Sequence, residues 1–210
     1  MGCHGAINGL RVAGAICGAD ANSRVLLCAT ELCSLHYRMR WDDERMIGNV
    51  LFADGSAAFV GCSATMSSQR SYSLQATGSY LMPESADLMS WQIGNHGFEM
   101  QLSGKVPEAI GQYARPWLET WLASQGQSIR SIGSWAVHPG GPRILTAIED
   151  AFELPADALD VSRGILKELG NMSSPTILFI LERMAVEKMP RPCVAIAFGP
   201  GLTIEAALLT

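Results

Sequence analysis

The residues of this chain most able to do chemistry are a cysteine, a histidine and an asparagine. Cys3 lies in Gly2-Cys3-His4-Gly5 at the start of an apolar stretch. His138 begins His138-Pro139-Gly140-Gly141-Pro142, and Asn171 lies in Gly170-Asn171-Met172-Ser173-Ser174. A thiol becomes a nucleophile when a base or cation holds it as thiolate, and an acyl intermediate needs donors aimed at its oxygen. Together the three side chains form an acyl-transfer kit. Placed at a helix N-terminus and beside an imidazolium, Cys3 is expected to have a lowered pKa and to be a thiolate near neutral pH.

Elements that can position these groups are readable along the chain. Residues 3 to 18 are apolar on nearly every face with Arg11 their one charge, which predicts a buried helix, and Gly5 and Gly9 predict close approach of a second helix. Arg24 to Thr30 reads as a buried strand and Val50 to Gly61 as another, interrupted by Asp54-Gly55, with a polar stretch over residues 37 to 48 between them. Ser-rich residues 63 to 71 read as a linker, dividing the chain into 1–65, carrying the nucleophile, and 72–210, carrying His138 and Asn171. Strands are expected near 72 to 78 and 97 to 102, then a helix from Pro107 to Ser124 with Trp117 and Trp121 on one face. A strand over Ile132 to Val137 ends at His138, and Pro142 suits the first position of the helix that follows. Ligands gather where strands end and helices begin in open α/β sheets, so this placement suits an active-site residue. A helix near 157 to 168 leads to the Gly170-Asn171 turn, and Ser173 or Ser174 is expected to cap a second all-apolar helix starting at Pro175. Strands over Cys193 to Phe198 and from Gly201 to the C-terminus close the chain.

Composition narrows the function. The 210 residues are 48% hydrophobic and 17% charged with a net charge of -5, which supports a sizeable core and, with no basic cluster, argues against nucleic acid. No apolar run reaches the roughly 20 residues of a membrane span. The six cysteines show no disulfide-framework spacing and read as reduced thiols of a cytoplasmic protein. Cys28, Cys33 and His36 fit no common zinc spacing, so no metal site is expected. Asn171-Met172-Ser173 matches a glycosylation sequon but reads as a chance match.

Six segments in register now carry a resemblance. They are the Cys3 helix, RVLLCATELCSLH from Arg24, LFADG from Leu51, WAVHPGGPRIL from Trp135, GNMSSPTILFILE from Gly170 and FGPGLTIE from Phe198. The chain resembles the type III polyketide synthases, the chalcone and stilbene synthase family of the thiolase-like superfamily. Ketoacyl synthase III enzymes also use Cys, His and Asn, but typically carry His-Gln-Ala-Asn at the His138 position and lack the FGPG segment.

The resemblance implies an α/β, thiolase-like fold with mixed sheets, an incomplete N-terminal half joined to a C-terminal half, and two buried central helices. It implies a homodimer in full-length form that uses coenzyme A thioesters as substrates and needs no cofactor. Cys3 would take a starter acyl group, and His138 and Asn171 would hold the thioester oxygen of malonyl-CoA while carbon dioxide leaves. Phe52 matches a gatekeeping aromatic and Met100 the second gatekeeper. Ser173 and Gly199-Pro200-Gly201 match cavity-shaping positions, and Cys33 and His36 match positions lining the starter pocket. His4 and His96 receive no role. Cys33 and Met100 suggest an adaptable apolar pocket, hence long-chain starters and alkylpyrone or alkylresorcinol products. Family members carry a long segment before the nucleophile, so the resemblance implies that the chain is a fragment of a longer protein or is completed by a separate chain. The alternative reading is therefore a non-catalytic fragment that binds or dimerises, and the chain alone is expected to have weak or no synthase activity.

Overall fold

The computed structural model describes residues 2–37, 43–63, 72–94 and 97–210. Helix α1 (Gly5–Ala19) runs into a hairpin of β1 (Arg24–Glu31) and β2 (Gly55–Cys62), which pair antiparallel from Arg24 opposite Cys62 to Glu31 opposite Gly55. Between the strands lie a 3-10 turn over Cys33–His36 and α2 (Asp43–Leu51). Strand β3 (Leu74–Leu81), a second hairpin of β4 (Met89–Gly94) and β5 (Gly97–Leu102), and α3 (Val106–Ser124) follow. The remainder is β6 (Ser134–Val137), α4 (Pro142–Phe152), α5 (Asp160–Leu169), α6 (Thr176–Val186), β7 (Cys193–Gly199) and β8 (Thr203–Leu209).

The four-stranded sheet has the order β3-β8-β7-β6, with β6 and β7 parallel and the other pairs antiparallel. Strand alternation sorts its side chains into two layers. Val194, Ile196 and Phe198 of β7, with Ile204 and Leu208 of β8, pack with α3 and α4. The opposite face of the same strands carries Cys193, Ala195, Ala197 and Ala207, against α1 and α6. Small residues on that face let the two helices come close to the sheet. On the other side, Tyr80 stacks on Trp117 with centroids 5.9 Å apart, and Trp117 on Trp121 at 5.8 Å.

Several expectations change. The segment read as a strand from Val50 is the end of α2, which begins inside the stretch read as polar connection; the strand starts only at Gly55. Strand β4 was not anticipated, although Met89-Ser90-Trp91-Gln92-Ile93 alternates apolar with polar residues as a half-buried strand does. Helix α6 is well buried through Ile177, Ile180, Leu181 and Met184, but α1 buries Ala6, Ile7 and Ala13 and leaves Val12 58% and Ile16 44% exposed. Only one side of α1 packs on the hairpin and sheet among the described residues. Its close approach at Gly9 is to a strand rather than a helix: a Cβ there would lie 1.9 Å from Leu27 Cδ1. The cap of α6 also differs. Pro175 is its N-cap without a side-chain bond, while Thr176 Oγ1 accepts from Met172 N at 2.9 Å. The expected linker, residues 63 to 71, lies outside the described residues except for Ser63.

Candidate active site

Four chain segments end at one cavity of about 1070 Å3, and Cys3, His138 and Asn171 all line it. Cys3 arrives in the turn before α1, whose N-cap is His4. His138 arrives at the end of β6, where its backbone N–H continues the parallel pairing by donating to Ile196 O at 2.8 Å. The chain then leaves through Pro142 at the first turn of α4. Asn171 follows Gly170, whose φ of +77° suits glycine, and is clasped by two backbone bonds. Its N–H donates to Leu51 O at 2.9 Å, and its carbonyl accepts from Ala53 N–H at 2.9 Å. Phe52, held between these two bonds, lines the same cavity.

The Asn171 amide is oriented from within. Ser173 N–H donates to Asn171 Oδ1 at 2.8 Å, leaving Nδ2 without a partner among the described residues. Both ring nitrogens of His138 are likewise buried and unpartnered. A buried polar group left unbonded costs about 1–3 kcal/mol, so orphan donors sharing one cavity mark a place built for a polar ligand atom.

The resting charge state corrects the sequence expectation. Burial pushes the Cys3 thiol up to about 11; a hydrogen bond from Ser173 opposes this and the Glu31 carboxylate adds to it. Burial, with a smaller push from His4, lowers His138 to about 3. The pair therefore rests as neutral thiol and neutral imidazole rather than as thiolate and imidazolium. Cys3 lies two residues ahead of α1, and the imidazole that was to supply a cation is itself too buried to carry charge.

Cys33, Ser34 and His36 bring the 3-10 turn onto the cavity wall. Ser34 fastens that turn to the start of β2: its N–H and hydroxyl each donate to the Asp54 carboxylate at 2.7 Å. Burial first, then Glu31, Cys3 and Asp54, push the Cys33 thiol up to about 12. Ser173 and Pro200 line the cavity, whereas Gly199 and Gly201 lie behind it. A Cβ on Gly199 would overlap His4, and one on Gly201, at φ +139°, would meet Thr203 Oγ1 at 2.5 Å. Met100 sits in β5 opposite Trp91, but its side chain, like all of His96, lies outside the described residues. Sequence reasoning missed Glu31, which lines the cavity and accepts from Ser174 Oγ at 2.7 Å, and Arg143 at its rim. A carboxylate ending a strand in TEL carried no sign of its partner. No group of three or more His, Cys, Asp or Glu fit to hold a metal occurs among the described residues, and the exposed Cys28 is apart from Cys33 and His36 on the wall.

The pattern of the chalcone and stilbene synthase N-terminal domain matches residues 1–64, and that of the C-terminal domain matches residues 73–210. The chain belongs to the chalcone and stilbene synthase family. It is 36% identical over 215 residues to a 1,3,6,8-tetrahydroxynaphthalene synthase of Streptomyces peucetius subsp. caesius, covering all of this chain and 57% of that protein. Type III polyketide synthase C of Arabidopsis thaliana is 30% identical, with the same coverage. Among solved structures, the 1,3,6,8-tetrahydroxynaphthalene synthase of Streptomyces coelicolor A3(2) superposes with a TM-score of 0.91 at 30% identity, over 100% of this chain and 60% of that one. The C-terminal type III polyketide synthase domain of Steely1 from Dictyostelium gives 0.92 at 28%. The fold is therefore thiolase-like, and the chain spans a little over half the length of the relatives it matches.

Proposed function

We propose that this chain carries the catalytic groups of a type III polyketide synthase, which joins a starter acyl-CoA to malonyl-CoA through an acyl-Cys3 intermediate. The observation that carries the proposal is the meeting of a thiol with buried, unpartnered donors of His138 and Asn171 in one cavity. Cys3 Sγ attacks the starter thioester carbonyl, a carbon–sulfur bond to Cys3 forms and the bond to coenzyme A breaks. Neutral His138 takes the thiol proton as attack begins and passes it to the departing coenzyme A sulfur. Malonyl-CoA then seats its thioester oxygen between His138 and Asn171 Nδ2. Loss of carbon dioxide leaves an enolate whose charge those donors stabilise, each by about 3 kcal/mol. The enolate carbon attacks acyl-Cys3, forming the new carbon–carbon bond and releasing the Cys3 thiolate.

Family membership supports the substrate class, coenzyme A thioesters without a further cofactor, and a homodimeric cytoplasmic enzyme is part of the same proposal. No described helix is long and apolar enough to cross a membrane. Phe52, Cys33 and His36 on the wall support roles in gating and starter choice, and Ser173 and Pro200 a role in shaping the product. Gly199 and Gly201 act from behind the wall by letting the loop close.

The test separates loading from turnover. Incubation with dodecanoyl-CoA is expected to add the acyl mass to the peptide containing Cys3, and Cys3→Ala to abolish it. Cys33→Phe is expected to suppress dodecanoyl loading at least tenfold while leaving malonyl-CoA decarboxylation within about twofold, because it fills the wall beside Cys3 and leaves both donors in place. Failure of every acyl-CoA to load Cys3 would favour the reading of a non-catalytic binding fragment. Equal suppression of short and long starters by Cys33→Phe would remove the starter-pocket role alone.

A further inference from the structure

His4 follows the candidate nucleophile directly, yet does not line the cavity; the residue is 7% exposed and its ring turns back into the protein, against β7. A polar ring buried at this depth needs partners, and it has them in series. With the Asn8 amide oriented to satisfy both neighbours, its oxygen accepts from His4 Nδ1 at 3.0 Å and its nitrogen donates to the two Glu205 oxygens at 3.1 and 3.2 Å. The opposite orientation would set the amide oxygen against a carboxylate. Glu205, 4% exposed on β8, also accepts from Ser79 Oγ at 2.7 Å and pairs with Arg11. The carboxylate is thus satisfied as an anion from three directions, and its charge is passed to the imidazole through one amide.

The other edge of the ring abuts β7. A Cβ on Gly199 would lie 1.8 Å from His4 Cδ2 and 2.2 Å from Nε2, so glycine at 199 makes room for this imidazole between the cavity-lining Phe198 and Pro200.

The geometry points to His4 as a positioning residue, the inner end of a buried Glu205–Asn8–His4 relay that fixes its Nδ1–H tautomer and sets Nε2 against Gly199, behind Cys3 and His138. The inference rests on the polyketide synthase reading only for its consequence, control of the charge felt by His138; the relay itself is a property of the fold. Burial lowers the His4 pKa while Glu205 opposes this, and any charge His4 gains disfavours protonation of His138. The charged groups that act on the ring are Glu205, the terminal amino group and Arg11, and the ring in turn acts on His138.

Nitrogen-15 shifts of the imidazole rings in the 210-residue chain test this. Neutral His4 is expected in the Nδ1–H form, and Asn8→Ala is expected to return it to the Nε2–H form that free imidazole side chains favour. In His4→Phe, which keeps a ring in the space, the titration midpoint of His138 is expected to move upward. An Nε2–H tautomer in the parent protein would overturn the relay, and that measurement stands even if the Asn8 variant does not fold. A His138 midpoint unmoved by His4→Phe would overturn the positioning role, since packing alone is preserved. Absence of acylation at Cys3 with the Nδ1–H tautomer intact would instead strike the catalytic reading and leave the relay standing.

Discussion

Asn171→Asp is expected to lower malonyl-CoA decarboxylation about 10²- to 10³-fold relative to the parent protein, with the fold unchanged. The two backbone bonds to Leu51 and Ala53 do not involve the side chain, and an aspartate oxygen still accepts from Ser173 N–H as Oδ1 does now. The substitution therefore exchanges one buried donor for an anion at the place where the enolate charge develops. Release of labelled carbon dioxide, compared with the circular dichroism spectrum of the same sample, reads both halves. A loss smaller than tenfold in a well-folded variant would remove Asn171 from the chemistry.

The second large effect is on stability. His138 is held near 3 in the folded protein against an ordinary 6.5, so as pH falls the unfolded chain takes up that proton first. The stability gained by keeping the ring neutral is complete above pH 6.5 and is lost progressively toward pH 3. Between pH 6.5 and 5 the loss is about 2 kcal/mol, from about 1.4 kcal/mol per unit. Urea unfolding at several pH values should show this decline in the parent protein and a correspondingly shallower one in His138→Gln. Identical acid slopes in the two proteins would mean that His138 is not held neutral. On the alkaline side the sign is reversed in pH but not in logic. Cys3 is raised from 9.0 to about 11, so the unfolded thiol ionises first and stability falls as pH climbs through that range.

Much of this site was readable from the sequence because its key groups lie in short motifs that also punctuate structure. His138 closes a strand and precedes a proline-started helix; Asn171 follows a glycine at a helix-to-turn junction. The charge state was not readable, since it depends on how completely the cavity is walled off and on Glu31, a residue whose nearness to Cys3 comes from hairpin pairing and not from local sequence. Similarly, the resemblance set Gly199 among the cavity-shaping positions with Pro200, but strand alternation turns adjacent positions to opposite faces. The apolar run of α1 predicted a helix correctly but said nothing of how much of it would be covered; Val12 and Ile16 are exposed because burial depends on neighbours. Helix α2 was hidden by its mixed composition, which a polar connection would share.

The short parallel bridge between Phe52 and Asn171 ties together, through the main chain, the residues proposed as gate and as donor. On the proposed mechanism, any backbone shift that widens the cavity at Phe52 drags the Asn171 amide with it, so admission and chemistry could not be tuned separately from that side. The turn bearing Cys33 and His36 is instead pinned through Ser34 to Asp54, with no backbone bond to Asn171 among the described residues. A redesign for bulkier starters should therefore work through that wall, where space can be gained without detuning the donor.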